Sequence, residues 1–157
     1  MKAVSIAQIK KELKHIGEDQ HIELILALAR FKKDNKELLT YLLFEAEDED
    51  AYIELIKQEI DELFEEININ HVYYVRKSTR KILRRIKKYI RYSKKKSTEA
   101  AVLMHFCFKL NEVKPSNPKS SQLENMFNRQ RDLIEKAIGT LHEDLQYDFR
   151  KELDELN

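Results

Sequence analysis

Glycine and proline are unusually scarce in this chain, with two residues of each among 157. Strand hairpins depend on turns that use these residues, so a sheet of several strands would lack the turns to connect it. The apolar residues instead recur every three or four positions, which is the period of a helix packed by one face. A hydrophobic content of 42% is enough for a core at this length. The sequence therefore predicts a single all-helical domain over residues 1–157.

Helix-start signals recur at a nearly constant interval in the first fifty residues. They are Ser5 with Gln8 three residues on, Asp19, Asp34 and the cluster Asp48 to Asp50. Each interval accommodates a helix of about three turns, and Gly17 is predicted to be the C-terminal cap of the first. Short helices joined in this way pack as antiparallel neighbours. The predicted architecture is all-α, with seven or eight helices in an array of antiparallel helical hairpins; the alternative is a closed up-and-down helical bundle.

Two longer helices, at about 50–68 and 71–92, carry complementary apolar stripes. The first stripe comprises Ile53, Ile56, Ile60, Leu63 and Ile67, and the second Val72, Val75, Thr79, Ile82, Ile86 and Tyr89. Because the two helices are adjacent in sequence, we expect them to form a hairpin packed through these stripes. A further helix at about 98–111, capped by Ser97 or Thr98, is apolar on nearly every side. We expect that helix to be central and its Cys107 to be buried.

Both prolines lie in residues 112–121, which the sequence predicts to be its one clear loop. Ser121 with Glu124 then predicts the start of the last helical stretch. Gly139 interrupts the apolar stripe of that stretch, and Thr140 with Glu143 has the spacing of a second capping box. One kinked helix and two separate helices are both compatible with this pattern.

The single cysteine excludes an intrachain disulfide and favours a reducing compartment. No apolar run reaches the roughly 18 residues that span a bilayer, and the first residues lack the apolar core of a signal peptide. We therefore expect a cytoplasmic protein without a transmembrane segment. A homo-oligomer is compatible with these observations.

The distribution of charge is the most informative feature. The formal net charge is +1, yet residues 71–96 contain twelve basic residues and no acid. Residues 1–70 have nine bases and seventeen acids, and residues 97–157 have eight bases and eleven acids. The candidate polyanion-binding residues are Arg76, Lys77, Arg80, Lys81, Arg84, Arg85, Lys87, Lys88, Arg91, Lys94, Lys95 and Lys96. On a helix, those between 76 and 91 span roughly 180° opposite the apolar stripe.

Several interpretations of this basic helix remain open. Acids of the preceding helix, such as Glu59, Asp61 and Glu62, are placed to neutralise it, as flanking charges do in coiled coils. A face left unpaired would attract nucleic acid through its phosphates, with nearby tyrosines stacking on unpaired bases. It would also suit an acidic protein surface. An anionic membrane is disfavoured because the apolar stripe contains no Trp or Phe and is committed to the core.

Catalytic and metal-binding motifs are weak. Glu12 with His15 and Glu18 with His21 have the spacing of di-iron ligands, but Gly17 separates two motifs that need long, different helices. His105 and Cys107 point about 200° apart on one helix, which defeats joint ligation. With two glycines in the chain, neither a phosphate-binding loop nor a nucleophile elbow can be built. We predict no catalytic residue, no metal site and no cofactor.

Two pairs of segments resemble a known family. They are SIAQIKKELKHIGEDQHIELILAL with DNKELLTYLL, and AAVLMHFCFKLNEV with TLHEDLQYDFRKEL. Together they resemble an uncharacterised bacterial family of short all-helical proteins, known as a domain of unknown function. The resemblance covers most of the chain and implies a bacterial, cytoplasmic, all-helical protein. It carries over no active-site residue.

The function expected from the sequence is therefore that of a non-enzymatic helical protein-interaction or scaffold protein with a basic helix at about 71–96. The first alternative is a nucleic-acid-binding protein that uses the basic face of that helix. The second is an enzyme whose site is assembled from distant side chains. Whether the outer basic residues are paired with carboxylates distinguishes the first two.

Overall fold

The computed structural model describes residues 1–113 and 121–156. Within these ranges the chain forms eight α-helices and no strand, which confirms the prediction of an all-α protein with seven or eight helices. The helices are α1 (Ile6–Leu13), α2 (Glu18–Phe31), α3 (Lys33–Thr40), α4 (Glu49–Glu65), α5 (Val72–Ser93), α6 (Lys96–Val113), α7 (Ser121–Ile138) and α8 (Glu143–Asp154). A π-helical turn, Tyr41–Glu45, follows α3. Residues 114–120, most of the predicted loop, lie outside the described residues.

The chain divides into an N-terminal unit, Met1–Phe44, and a C-terminal unit, Glu45–Asn157. In the N-terminal unit, Ser5 and Gln8 form the predicted capping box: the Ser5 hydroxyl accepts from the Gln8 amide at 3.3 Å, and Gln8 Oε1 accepts from the Ser5 amide at 3.1 Å. The prediction for Gly17 was wrong. Lys14 ends α1, and Gly17 is the N-cap of α2, where its amide donates to Gln20 Oε1 at 3.0 Å.

The N-terminal unit buries little apolar surface. Helix α2 packs against α3, yet none of the residues in α1, α2 or α3 is buried. Large apolar side chains of this unit are exposed, including Ile6, Ile22, Ile25, Leu42 and Leu43. The α2–α3 pair therefore has too few layers to bury its apolar residues.

Helix α6 is the centre of the C-terminal unit, as predicted. It packs against α4, α5, α7 and α8. Val102, Cys107 and Met104, which lie at about 0°, 140° and 200° around its axis, are each at most 1% exposed. The predicted cap at Ser97 or Thr98 is wrong, because α6 begins at Lys96 and both residues lie in its first turn. Lys94 ends α5 in the left-handed conformation (φ 60°), and the chain turns directly into α6.

Helices α4 and α5 contact each other, but each packs more extensively on α6. Most residues of the predicted stripes are buried: Ile53, Ile56, Ile60 and Ile67 of the first, and Val75, Thr79, Ile82 and Ile86 of the second. Leu63 and Tyr89 are half-buried, while Tyr52, Phe64, Ile90 and Tyr92 are buried without belonging to the stripes. Val72 at the start of α5 is exposed, contrary to prediction. Thr79 is accommodated in the core because its hydroxyl donates to the Val75 carbonyl at 2.8 Å.

The last helical stretch is two helices, with α7 ending at Ile138 just before Gly139. The predicted capping box at Thr140 does not form. The Thr140 hydroxyl instead donates back to the Ala137 carbonyl at 2.7 Å. His142 is the N-cap of α8, and its Nδ1 accepts from the Asp144 amide at 3.5 Å.

Candidate polyanion-binding site

Helix α5 is amphipathic: one face is apolar, and the opposite face carries only positive charge. The buried face of α5 includes Val75, Ile82, Ile86 and Ile90. Nine of the twelve candidate residues are exposed: Lys77, Arg80, Lys81, Arg84, Arg85, Arg91, Lys94, Lys95 and Lys96. Arg76, Lys87 and Lys88 are half-buried. The structure therefore places the basic side chains around the outer side of α5 and the turn after it.

Among the described contacts, Arg85, Lys95 and Lys96 form ion pairs with carboxylates of the C-terminal unit. Arg85 pairs with Glu59 of α4. Lys95 pairs with Glu49 at 2.9 Å, and Lys96 pairs with Glu99 at 2.6 Å. These contacts partly confirm the interpretation of internal neutralisation, at the edge of α5 nearest α4 and at its C-terminal end.

The Glu49 carboxylate connects the start of α4 with the turn between α5 and α6. Besides Lys95, it accepts hydrogen bonds from the hydroxyls of Ser93 and Thr98. Thr98 is fully buried, and the Glu49 side chain is 13% exposed. A buried carboxylate with three donors is satisfied. Lys95 therefore has a structural role in this turn.

A larger group of cations has no carboxylate within 4.0 Å among the described residues. We call it the basic face: Arg76, Lys77, Arg80, Lys81, Arg84 and Arg91. At 100° per residue these six lie within an arc of about 140°. They extend along about 22 Å of helix at 1.5 Å per residue. Lys94, just beyond the helix, has no carboxylate partner in the described ranges either.

The remaining two candidates have other surroundings. Lys88 lies 6.0 Å from the centre of the Tyr89 ring, within the range of a cation–π contact. Burial lowers the pKa of Lys87, and the nearby Glu99 carboxylate opposes that shift. Partial desolvation makes an ammonium group more responsive to an anion than a fully hydrated one.

The acids that the sequence singled out do not all face α5. Asp61 points toward α6, where it lies 2.7 Å from His105 Nε2 and 3.8 Å from Lys109 Nζ. Glu62 is exposed and makes no ion pair with the basic face. Glu59 alone of these three reaches α5. The acidic helix therefore neutralises one edge of the basic helix and leaves the basic face unpaired.

The N-terminal half of the basic face is concave. A surface hollow of about 410 Å³ is lined by Tyr73, Arg76, Lys77, Arg80, Arg84 and Gln122. Tyr73 is 60% exposed and packs edge-on against Tyr74, with ring centres 5.4 Å apart. The arrangement combines four cations with an aromatic ring that is open to solvent. It can bind phosphate oxygens and stack a planar group at the same place.

Sequence reasoning missed the contribution of α7 to this site. Gln122 comes from the first turn of α7, and its Oε1 accepts from Arg80 Nη2 at 3.0 Å. This neutral partner orients the guanidinium of Arg80 without removing its charge. The available signal was a row of polar residues on α7 at successive spacings of three or four: Gln122, Asn125, Arg129 and Asp132.

Other candidate chemistry is absent from the part of the chain that the structure describes. His21, which has the spacing of a di-iron ligand with Glu18, is hydrogen-bonded through Nε2 to the Leu13 carbonyl at 2.8 Å. Across residues 1–113 and 121–156, no three His, Cys, Asp or Glu side chains are grouped to hold a metal ion. Among the same residues, no helix has both the length and the apolarity to cross a membrane.

Comparisons with protein-family models, curated proteins and solved structures found no match.

Proposed function

We propose that the protein is a non-enzymatic binding protein that holds nucleic acid on the basic face of α5. The observation that carries the proposal is the exposure of Arg80, Arg84 and Arg91 without a carboxylate within 4.0 Å in residues 1–113 and 121–156. Cations that have no internal partner retain their full field toward solvent. Phosphate groups spaced along a strand complement a row of cations because binding releases the strand's condensed counterions.

The composition of the basic face favours nucleic acid over an acidic protein surface. Four of its six members are arginines, whose planar guanidinium groups bind phosphate oxygens in pairs. Tyr73 lies among them in the same hollow and offers a surface for stacking. Carboxylates of a protein partner would use the charges but have no need for the exposed ring.

A titration at two salt concentrations tests this proposal. We expect both single- and double-stranded oligonucleotides to bind at low salt. The log–log slope of the association constant against salt should be about −0.7 to −0.9 per phosphate contact. The test variant is Lys81→Glu with Arg84→Glu and Arg91→Glu, which should weaken binding by at least about tenfold. No binding by the wild type at low salt would overturn the proposal.

The N-terminal unit supplies a matched control. Lys10→Glu, Lys11→Glu and Lys14→Glu together change the net charge by the same amount on α1. We expect this variant to bind within about twofold of wild type if specific phosphate contacts on α5 decide the affinity. Equal losses in both variants would mean that net charge alone governs binding, and would contradict the assignment to α5.

A protein-interaction role is the second candidate, and the N-terminal unit favours it. Its exposed large apolar side chains include Leu24, Leu28, Phe31 and Phe44. Large apolar side chains that are exposed together are a common feature of protein interfaces. Sedimentation over a range of concentrations tests the simplest case, self-association, with Leu28→Ser and Phe31→Ser as the disrupting variant. A mass that stays monomeric in the wild type would remove that support.

A further inference from the structure

A second concave region lies beside the basic face, between α5 and α7. Both helices pack on α6, and the space between them is an open groove of about 670 Å³. Arg80 and Gln122 line this groove as well as the hollow around Tyr73, so their hydrogen bond lies in the wall that the two share. Binding sites for small organic groups have volumes in this range.

Both α5 and α7 contribute cations to the groove. Arg80 and Lys87 line it from α5, and Arg129 and Lys136 line it from α7. Arg129 and Lys136 are exposed and have no carboxylate within 4.0 Å among the described residues. One acid, Asp132, also lines the groove and forms no ion pair there. Four cations against one carboxylate favour an anion with additional polar groups.

The groove also contains apolar surface of the kind on which a flat ring rests. Leu83 and Leu133 are half-buried and line it from opposite helices, and Met126 lines it beside them. Apolar contact and anion binding are therefore available within one site.

Polar groups in the groove are suited to the edge of a base. Gln130 is 3% exposed; its Nε2 donates to the Met126 carbonyl at 3.1 Å, while its Oε1 has no hydrogen-bond partner among the residues that the structure describes. A buried amide oxygen without a donor is unfavourable and rare in native proteins. The exposed Asn125 side chain and the Asp132 carboxylate add further acceptors. All three groups accept hydrogen bonds from N–H donors.

We propose that this groove binds one nucleotide with its base unpaired. In this arrangement Arg129, Lys136 and Lys87 hold the phosphate. The base lies over Leu83 and Leu133, and its N–H edge donates to Asn125 or Asp132, or to Gln130 Oε1 after a small shift of that amide toward the groove. The inference rests on the proposed function, because the strand on the basic face would supply the nucleotide. A free mononucleotide has the same chemistry.

An unpaired base is required by the position of the acceptors. In a duplex the Watson–Crick edge is already paired and its bases are stacked on both sides. A base that lies on Leu83 and Leu133 must leave that stack. The groove therefore adds a preference for single strands to the one that stacking on Tyr73 would give.

The experiment uses charge-neutral substitutions, so that binding of the phosphate backbone is unaffected. The full chain is titrated with a single-stranded oligonucleotide and with a strand of equal length and charge that lacks bases. We expect the wild type to bind the base-bearing strand at least about fivefold more tightly, through apolar contact of a base with Leu83 and Leu133 in addition to stacking on Tyr73. Leu133→Ala and Gln130→Met should each reduce this ratio toward one without changing affinity for the abasic strand.

Leu145→Ala, on the exposed surface of α8, is the matched control and should keep the ratio. Thermal melts verify folding, and Leu133→Ala, at a half-buried position, tests the groove even if the buried Gln130→Met fails to fold. Adenosine monophosphate distinguishes the two sources of ligand. If this nucleotide displaces the strand, and Leu133→Ala weakens that displacement, the groove is a mononucleotide site. If it does not displace the strand and the wild type still prefers the base-bearing strand, the ligand of the groove is a nucleotide within a strand.

Equal affinity of the wild type for base-bearing and abasic strands would overturn the groove assignment while leaving the proposed function intact. Loss of the ratio in Leu145→Ala as well as in Leu133→Ala would also overturn it, because the effect would then be general. Failure of both strands to bind is the distinct result that contradicts the proposed function itself.

Discussion

Arg85 on α5 forms an ion pair with Glu59 on α4. The same guanidinium donates through Nε to the Tyr89 hydroxyl at 3.0 Å, and that hydroxyl donates to Glu59 Oε1 at 3.3 Å. The three side chains form a closed polar group at the edge where α4 meets α5. This group decides how much of the positive charge on α5 is cancelled within the molecule.

Removing the Glu59 carboxylate should therefore strengthen binding of polyanions. Glu59→Gln leaves Arg85 with a neutral neighbour, which adds one cation to the field of the basic face. We expect an increase in oligonucleotide affinity of about threefold to tenfold at low salt, which disappears as salt rises. Glu62→Gln changes the net charge equally at an exposed position of the same helix and should have a smaller effect. Equal changes in the two variants would contradict this prediction.

Tyr89 should make stability sensitive to alkaline pH. Burial raises the pKa of its phenol above the usual 10.0; the hydrogen bond from Arg85 opposes this shift, and the Glu59 carboxylate reinforces it. Above pH 10 the unfolded chain releases this proton while the folded chain keeps it. Fewer protons are then bound in the unfolded state, so the free energy of unfolding falls as pH rises.

Urea denaturation between pH 9 and about pH 11 measures the effect. Tyr89→Phe should flatten the fall in unfolding free energy, because the titrating group is gone. Tyr73→Phe, at an exposed position, provides the control. An equally steep fall in Tyr89→Phe would show that another group is responsible.

The apolar stripes of α4 and α5 should each be essential for stability. Ile60 has no exposure and Ile82 is 3% exposed. Ile60→Ala or Ile82→Ala should lower the free energy of unfolding by about 2 to 5 kcal/mol, the usual cost of a large-to-small change in a core. Leu55→Ala, at a position of α4 that is 51% exposed, should cost under about 0.5 kcal/mol. Costs that small at both isoleucines would mean that the stripes are not packed.

Cys107 should react slowly with thiol reagents in the native protein. It is a free cysteine with no exposure, on a helix that is contacted from four sides. Modification therefore requires opening of the core, and its rate should approach that of a small thiol only in denaturant. Rapid labelling without denaturant would place α6 at the surface, contrary to the packing described above.

The sequence predicted which face of each long helix is buried, but it could not predict which neighbour covers that face. Glu59 and Asp61 illustrate the difference. Two residues apart, they point about 200° from each other, so one faces α5 and the other faces α6. Periodicity defines these directions relative to the helix axis. The rotation of α4 between two partners depends on the packing of the whole unit.

The same reason limits prediction of the candidate site. A helical wheel identified the basic residues of α5, because spacing along one helix determines their face. The groove also needs Arg129, Gln130 and Leu133, which are separated from α5 by an entire helix. Short-range patterns also located the Ser5 cap correctly but misplaced the cap near Gly139. Alternative caps within a few residues differ too little in local preference for sequence alone to choose.

The central position of α6 sets the order in which the protein can complete its core during synthesis. Ile60 and Ile86 are made before any residue of α6, and the helix on which both stripes mainly pack is finished only at Val113. A nascent chain that ends before this point exposes two long apolar stripes. Its acidic and basic helices meanwhile attract each other through Glu59 and Arg85. The two stripes can then pack only on each other until the segment that covers them leaves the ribosome.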